Sequence, residues 1–85
     1  MDYSAILTEQ LRNFISENAF IDKEMIKEDT LIFEEGIFDS LGFMSLISFL
    51  DEELEIEVAD NELVVENFES INAILAFISG KNNSH

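Results

Sequence analysis

The apolar residues of this chain recur at helical intervals in three separate stretches. In about residues 3–18, the positions that share one helix face are Tyr3, Ile6, Leu7, Leu11, Phe14 and Ile15. In about residues 40–54, they are Phe43, Leu46, Ile47, Leu50 and Leu54. In about residues 71–79, they are Ile71, Ile74, Leu75 and Ile78. Each stretch is therefore predicted to form an amphipathic helix whose apolar stripe faces the core.

The residues that flank these stretches predict where the helices begin and end. Asp2 or Ser4 is expected to cap the first helix and Ser70 the last, because their side-chain oxygens accept hydrogen bonds from free N–H groups of the first turn. Gly80 is expected to end the last helix. The polar residues 81–85 are then predicted to be a disordered tail.

The connection between the first two helices, residues 19–39, has no helical period. It mixes acidic and polar residues with large apolar ones, which are Met25, Ile26, Leu31, Ile32, Phe33, Ile37 and Phe38. A connection of about twenty residues is long for a small domain. We therefore expect it to wrap across the bundle and to bury some of these side chains.

The second connection is predicted to be short of regular structure. Residues 55–58 alternate like a strand, but no second strand pattern exists to pair with them. An extended link that buries Ile56 and Val58 is expected, followed by a one-turn helix capped by Asp60, with Phe68 in the core. The predicted fold is all-α, a small four-helix bundle with three main helices, one short helix and a long first loop.

The stretch before the second helix carries the candidate chemistry. Gly36 permits a turn, after which Asp39 and Ser40 arrive at the start of the helix. Ser40 would lie at the positive end of the helix dipole, where an exposed hydroxyl is well placed to carry an anionic group. The outward face of this helix is predicted to hold Leu41, Met44, Ser45, Ser48 and Glu52. The alternative for Leu41 is packing on Phe38 and the loop.

Composition sets the size and class of the protein. Eighty-five residues, 47% of them hydrophobic and eight of them Phe, predict one folded domain over residues 1–80, with a radius of gyration of about 12 Å. No apolar run approaches the roughly 20 residues of a membrane span, and no basic-then-apolar segment opens the chain. A cytoplasmic protein without a membrane partner is expected.

The formal charge of −15, with only four Lys and Arg residues, excludes the basic footprint that nucleic-acid binding requires. It also disfavours adsorption to anionic membranes. Two interpretations stay open for the acidic surface, and for Asp51–Glu53 at the end of the second helix in particular. The charges either aid solubility or attract a basic patch on another protein.

The chain has no Cys, and its one histidine is the terminal His85. It therefore lacks a thiol nucleophile, a Cys metal site and a positioned base for catalysis, so it is not expected to be an enzyme. Any thiol chemistry on this protein would need an imported sulfur. A calcium site at residues 60–65 is disfavoured, because the segment lacks the glycine and the alternate oxygen ligands of an EF-hand loop.

Asp39-Ser40-Leu41 at a helix start, preceded by Gly36-Ile37-Phe38, resembles the phosphopantetheine attachment region of acyl and peptidyl carrier proteins. The resemblance covers most of residues 3–80 in the same helix order. Its further segments are Asp29-Thr30-Leu31, Ile56-Glu57-Val58, Glu66-Asn67-Phe68 and Ser70-Ile71.

The resemblance implies that a separate phosphopantetheinyl transferase attaches 4′-phosphopantetheine from coenzyme A to Ser40. The arm's thiol would then hold an acyl or aminoacyl group as a thioester. Asp39 matches the acidic residue that such transferase complexes use near Mg²⁺, so that ion would belong to the loading step and the chain itself would hold no metal. The other implied partners are an acyl- or aminoacyl-activating ligase or adenylation enzyme and a downstream synthase or transferase, each meeting a monomeric carrier through the outward face.

Three positions depart from carriers of fatty-acid synthesis, which usually have acid directly after Asp-Ser-Leu and again one turn later. Here these positions are Gly42 and Ser45, and Phe43 is bulkier than the usual residue. The chain is more similar to free-standing carriers of polyketide or nonribosomal-peptide biosynthesis and to D-alanyl carriers. Inward Phe43 and Phe49 would also favour a short cargo. The alternative from another class is an acidic helical adaptor that binds a basic partner without any attached group.

Overall fold

A computed structural model describes residues 3–83, and within them the chain forms three α-helices and no β-strand. The helices are α1 (Tyr3–Ala19), α2 (Ser40–Glu53) and α3 (Ile71–Asn83). Short 3-10 turns lie at Lys23–Met25, Asp60–Glu62 and Val65–Asn67. The all-α prediction is confirmed, the bounds of α1 and α2 agree with prediction to within one residue, and the radius of gyration is 12.0 Å.

The core is built from the predicted apolar stripes. Leu46 and Leu50 of α2 are completely buried, and Phe43 and Ile47 of the same stripe are half-buried. From α1 and α3 the buried side chains are Leu7, Leu11, Ile15, Ile71, Ile74 and Ile78. Ile6, which the pattern predicts to face inward, is 40% exposed, because the face that α1 buries is narrower than the apolar pattern.

Residues 20–39, which we call the strap, cross the bundle and bury Ile26, Ile32 and Phe38. Main-chain hydrogen bonds join the strap to the start of α3 and to the residue pair just before it. The Ile32 N–H donates to the Glu69 carbonyl at 2.9 Å, and the Asn72 N–H donates to the Glu28 carbonyl at 3.0 Å. The prediction that the long connection wraps the core is confirmed.

The second connection also fills the core. Phe68 is completely buried and Ile56 nearly so, whereas Val58 is half-buried. Asp60 is the first residue of its turn and not its cap, so that prediction is wrong. The Glu62 carboxylate oxygen Oε1 instead accepts the Ala59 N–H at 2.8 Å, which satisfies the free donor at the start of the turn.

The two ends of α3 differ in how well they match prediction. Ser70 caps the helix as expected, because its Oγ accepts the Ala73 N–H at 3.1 Å. The helix does not stop at Gly80 but continues to Asn83, so residues 81–83 are helical and not a disordered tail. Lys81 supports this extra turn, since its Nζ lies 2.7 Å from Glu62 Oε1 and 5.7 Å from the centre of the Phe77 ring.

The predicted cap of α1 and the predicted C-terminal tail fall at the two ends of the chain. Ser4 lies inside α1 and does not stand at its N-cap. The other candidate cap, Asp2, lies outside the described residues, as do Ser84 and His85 of the predicted tail.

Candidate functional site at the start of α2

The last residues of the strap, which include a glycine turn at Gly36 and the buried Phe38, determine where α2 begins. Gly36 has a φ of 77°, a left-handed conformation that L side chains rarely adopt. Two residues later, the Phe38 N–H donates to the Ile32 carbonyl at 2.9 Å, and the Phe38 ring is buried edge-on against Phe14 and Phe33. With Phe38 held in the core, the next two residues are placed on the surface.

Asp39 is the N-cap of α2. Its backbone is extended, its Oδ1 accepts the Gly42 N–H at 3.0 Å, and its main-chain carbonyl accepts the Phe43 N–H at 2.9 Å. The family resemblance implies for Asp39 only a role in a transferase complex. The cap is nevertheless detectable in the sequence, because Asp is among the most favoured N-cap residues and the helical pattern begins directly after it.

Ser40 is the first residue of α2 and is exposed. The N–H groups of a helix's first turn have no partner within the helix, and only the Gly42 N–H is taken by the Asp39 cap. The helix dipole adds a partial positive charge at this end. An anionic group on the Ser40 oxygen would therefore meet free donors and a favourable field.

The five residues predicted to face outward are all exposed, with Leu41 at 78% and Met44 at 57%. The alternative in which Leu41 packs on Phe38 and the loop is therefore wrong. The same five line an open groove of about 710 Å³ between α1 and α2, which we call the α1–α2 groove. Its remaining lining residues, which the predicted outward face does not include, are Phe14, Asn18, Phe49 and Glu53.

A second, smaller groove of about 330 Å³ adjoins the first. We call it the strap groove, because it lies between the end of α1, the strap and the first turns of α2. Asp39 lines it, and Leu41 and Ser45 line both grooves. No Lys or Arg lines either groove, whereas Asp39, Glu52 and Glu53 do, so the described surface beside Ser40 is acidic.

The aromatic residues beneath this surface close off the interior. Phe49 stacks on Phe14 with ring centres 4.4 Å apart. Phe43 lies edge-on to both Phe33 and Phe68, at 5.6 Å from each ring centre. The two phenylalanines of α2 predicted to point inward are thus half-buried against other rings.

Two further kinds of site are absent from the described residues. Within residues 3–83 no cluster of three or more His, Cys, Asp or Glu could hold a metal ion. None of the helices in that range is long and apolar enough to span a membrane.

A small all-α domain with a long first loop and an exposed serine at the start of its second helix has the architecture of an acyl-carrier-type bundle. A family model described as a phosphopantetheine attachment site matches residues 9–78 of the chain. The chain therefore belongs to this family, the acyl and peptidyl carrier proteins. A search of curated proteins finds no match.

Membership defines the general role. Proteins of this family carry a covalently attached 4′-phosphopantetheine group, are generally not catalytic themselves, and work with enzymes that modify and load them. The geometry at the start of α2 fits such a group. An exposed hydroxyl there would bear a phosphodiester beside unpaired helix N–H groups, and Gly42 presents no side chain in the first turn.

Proposed function

We propose that Ser40 is the residue that carries the phosphopantetheine arm. The position of Ser40 carries this proposal. The family model matches residues 9–78, all of which the structure describes, and within that range Ser40 is the one exposed serine at the start of a helix. Ser45 and Ser48 lie within α2, Ser16 is half-buried within α1, and Ser70 is buried as the α3 cap.

The residues around Ser40 suit this role for physical reasons. The attached group supplies a terminal thiol that holds an acyl or aminoacyl cargo as a thioester. Its phosphodiester on Ser40 would gain about 0.3–1 kcal/mol from the helix dipole and the free N–H groups. The chain has no Cys, so it offers no competing thiol for the cargo.

The outward face of α2 is proposed as the surface on which partner enzymes dock. Leu41 and Met44 give it an exposed apolar patch, and Met adapts to partners of different shape. Ser45, Ser48 and Glu52 complete the α1–α2 groove with polar and acidic groups. The proposed partners are a phosphopantetheinyl transferase, an acyl- or aminoacyl-activating ligase or adenylation enzyme, and a downstream synthase or transferase, which would meet a monomer in the cytoplasm.

A carrier of polyketide or nonribosomal-peptide biosynthesis is the pathway class that we favour. Gly42 and Ser45 stand where fatty-acid carriers usually have acid, and Phe43 packs against Phe33 and Phe68, which favours a short cargo. A D-alanyl or fatty-acid carrier is the alternative. Intact mass spectrometry of the protein purified from its native cell would identify the thioester cargo and so decide between them.

The attachment site is tested by incubating the apo protein with coenzyme A, Mg²⁺ and a promiscuous phosphopantetheinyl transferase, and then measuring the intact mass. Wild type and Ser79→Ala, a change at an exposed serine of α3 that lines neither groove, should gain one phosphopantetheinyl group, whereas Ser40→Ala should gain none. The proposal is wrong if the folded wild type stays unmodified while a known carrier is modified in parallel. It is also wrong if Ser40→Ala is modified like wild type.

Ser40→Ala also tests the alternative in which the protein is an acidic adaptor with no attached group. An acidic adaptor would bind a basic partner through Asp51–Glu53 or 62–69 with an affinity that survives Ser40→Ala. A carrier loses its function with that one hydroxyl.

A further inference from the structure

Phe20 combines an unfavourable backbone with an unfavourable exposure. It directly follows α1, has a φ of 58° and leaves 93% of its surface exposed. The next residue, Ile21, donates its N–H to the Ser16 carbonyl at 3.2 Å. This bond and the left-handed residue before it form the helix end in which glycine is the preferred residue. A phenylalanine is therefore present where neither backbone nor packing favours it.

The end of α2 provides an internal comparison. Glu55 has a φ of 56°, so α2 also ends on a left-handed residue. The following Ile56 donates its N–H to the Leu50 carbonyl at 2.8 Å, a bond that spans six residues where that from Ile21 to Ser16 spans five. At Glu55 the side chain is charged and exposed, which water accommodates. Only at Phe20 does this conformation place a large apolar ring in solvent. The way a helix ends explains the left-handed backbone at both residues, but it does not explain why residue 20 is a phenylalanine.

The location of Phe20 relates it to the attachment site. Its neighbour Ala19 lines the strap groove together with Asp39 and Leu41, and consecutive Cα atoms are about 3.8 Å apart. Phe20 and Leu41 are also the two most exposed large apolar residues in the described part of the chain, at 93% and 78%. Phe20 does not line the groove itself, but its neighbour does, so a partner that buries about 800 Å² of this chain around the groove is expected to reach both residues.

We propose that Phe20 and Leu41 are paired apolar contacts for the phosphopantetheinyl transferase, and that the transferase meets them with an apolar surface bordered by Lys or Arg. This inference rests on the proposed function of Ser40. The acidic lining of both grooves, Asp39, Glu52 and Glu53 without a cation, determines the expected charge of the partner.

The transferase is the expected partner because its reaction takes place on the chain itself. The Ser40 oxygen bonds to the pantetheine-bearing phosphorus of coenzyme A and loses its proton, while the pyrophosphate bond breaks and adenosine 3′,5′-bisphosphate leaves. The enzyme must therefore approach the surface around Ser40.

Three variants separate the ring from the backbone. Phe20→Gly removes both the ring and the strain, Phe20→Leu keeps an apolar side chain in the same backbone, and Glu55→Gly relieves the same strain far along the chain from Ser40. The measurements are the thermal midpoint of the apo protein and kcat/KM for its modification, with coenzyme A, Mg²⁺ and a promiscuous phosphopantetheinyl transferase at fixed salt.

Phe20→Gly and Glu55→Gly should each raise the midpoint by about 4–8 °C, since both relieve a left-handed residue in a domain of this size. Phe20→Gly should lower kcat/KM about fivefold to thirtyfold, mainly through KM, as is typical for loss of an aromatic contact. Phe20→Leu should retain most of the rate, and Glu55→Gly should change it less than twofold.

Equal kcat/KM for Phe20→Gly and wild type would overturn the inference while leaving Ser40 as the modified residue. A rate loss in Glu55→Gly as large as that in Phe20→Gly would also overturn it, because the effect would then come from the backbone. If the folded wild type is not modified at all, the proposed function itself fails. The outcomes are therefore distinguishable.

Discussion

The side chain of Phe38 occupies the space that a side chain on Gly42 would need. A Cβ placed on Gly42 would lie 2.8 Å from Phe38 Cγ and 2.9 Å from Phe38 Cδ1, closer than real Cβ contacts allow. The glycine in the first turn of α2 thus lets Phe38 pack against the helix start. Because Phe38 also lies near the end of the strap, this contact helps to set where Ser40 emerges.

We predict opposite effects for two Gly→Ala substitutions within helices. Alanine normally stabilises a helix interior by about 0.5–1 kcal/mol relative to glycine, and a Cβ added to Gly80 would meet no neighbouring atom within 4 Å, so Gly80→Ala should be stabilising. Gly42→Ala should be destabilising by about 1–3 kcal/mol, because Phe38 must move. Urea unfolding measures both, and a stabilised Gly42→Ala would contradict the contact.

Asp39 is expected to have two separable roles. Asp39→Ala removes the cap on the Gly42 N–H and should lower stability by about 0.5–2 kcal/mol. Asp39→Asn keeps a capping oxygen, so its unfolding midpoint should stay close to wild type. If the carboxylate also serves the Mg²⁺-dependent loading step, Asp39→Asn should still slow phosphopantetheine attachment. A normal loading rate for this variant would limit Asp39 to capping.

The buried stripe of α2 should dominate its contribution to stability. Leu50→Ala removes a completely buried side chain and should destabilise the domain by about 2–5 kcal/mol. Ser48→Ala, on the exposed face of the same helix, should change stability by no more than about 0.5 kcal/mol. Equal urea midpoints for Leu50→Ala and wild type would mean that the core does not depend on this stripe.

The ion pair at the C-terminal end of α3 should make stability depend on pH. The hydrogen bond from Lys81, and then that from the Ala59 N–H, hold the pKa of the Glu62 carboxyl below its usual value of 4.5. The unfolded chain therefore binds a proton at Glu62 before the folded protein does, as pH falls. The contribution of the pair is present above about pH 4.5 and is lost as pH falls through the folded pKa.

Glu62→Gln tests this dependence, because the amide oxygen can still accept the Ala59 N–H. The difference in urea midpoint between wild type and Glu62→Gln should be largest at neutral pH and should shrink as pH falls below about 4.5. Glu57→Gln, an exposed carboxyl for which no ion pair is found among residues 3–83, provides the control. A difference that stays constant over this range would exclude the pair as its source.

Charge at the α1–α2 groove should affect the rate of encounter with partners. Glu52→Lys reverses an exposed charge that lines this groove and should slow phosphopantetheine loading mainly at low ionic strength. Glu57→Lys makes the same change in an exposed residue that lines neither groove. If Glu52→Lys slows loading equally at low and high salt, or no more than Glu57→Lys does, Glu52 does not steer the partner.

The helices and the exposed serine are predictable because their signals are local and periodic. The α2 stripe follows from spacing alone, and the Ser70 cap follows from residue type. The extent of α3 is not predictable in this way. Gly80 is a typical helix end, but Lys81 reaches Glu62, which lies nineteen positions earlier and on a different element. An ion pair between residues so far apart in the sequence cannot be predicted from local patterns.

Two features of the site are also beyond local sequence patterns, for different reasons. Gly42 resembles a weak point in a helix until the position of the Phe38 ring against it is known. Phe20 resembles an ordinary member of the apolar loop, and only the backbone shows that it is left-handed and exposed. For Gly42 the deciding fact is a neighbouring ring, and for Phe20 it is the left-handed backbone and the exposure of the side chain.

The strap is bonded to α3 through main-chain atoms, at Ile32 with Glu69 and at Asn72 with Glu28. Substitutions at the exposed strap positions do not remove these bonds, since every residue except proline supplies the same N–H and carbonyl groups. Evolution or engineering can therefore exchange the exposed side chains of the strap without removing the hydrogen bonds that hold the strap across the bundle. Chimeras that replace the exposed residues 27–29 and 34–35 while keeping the buried isoleucines should therefore retain the fold.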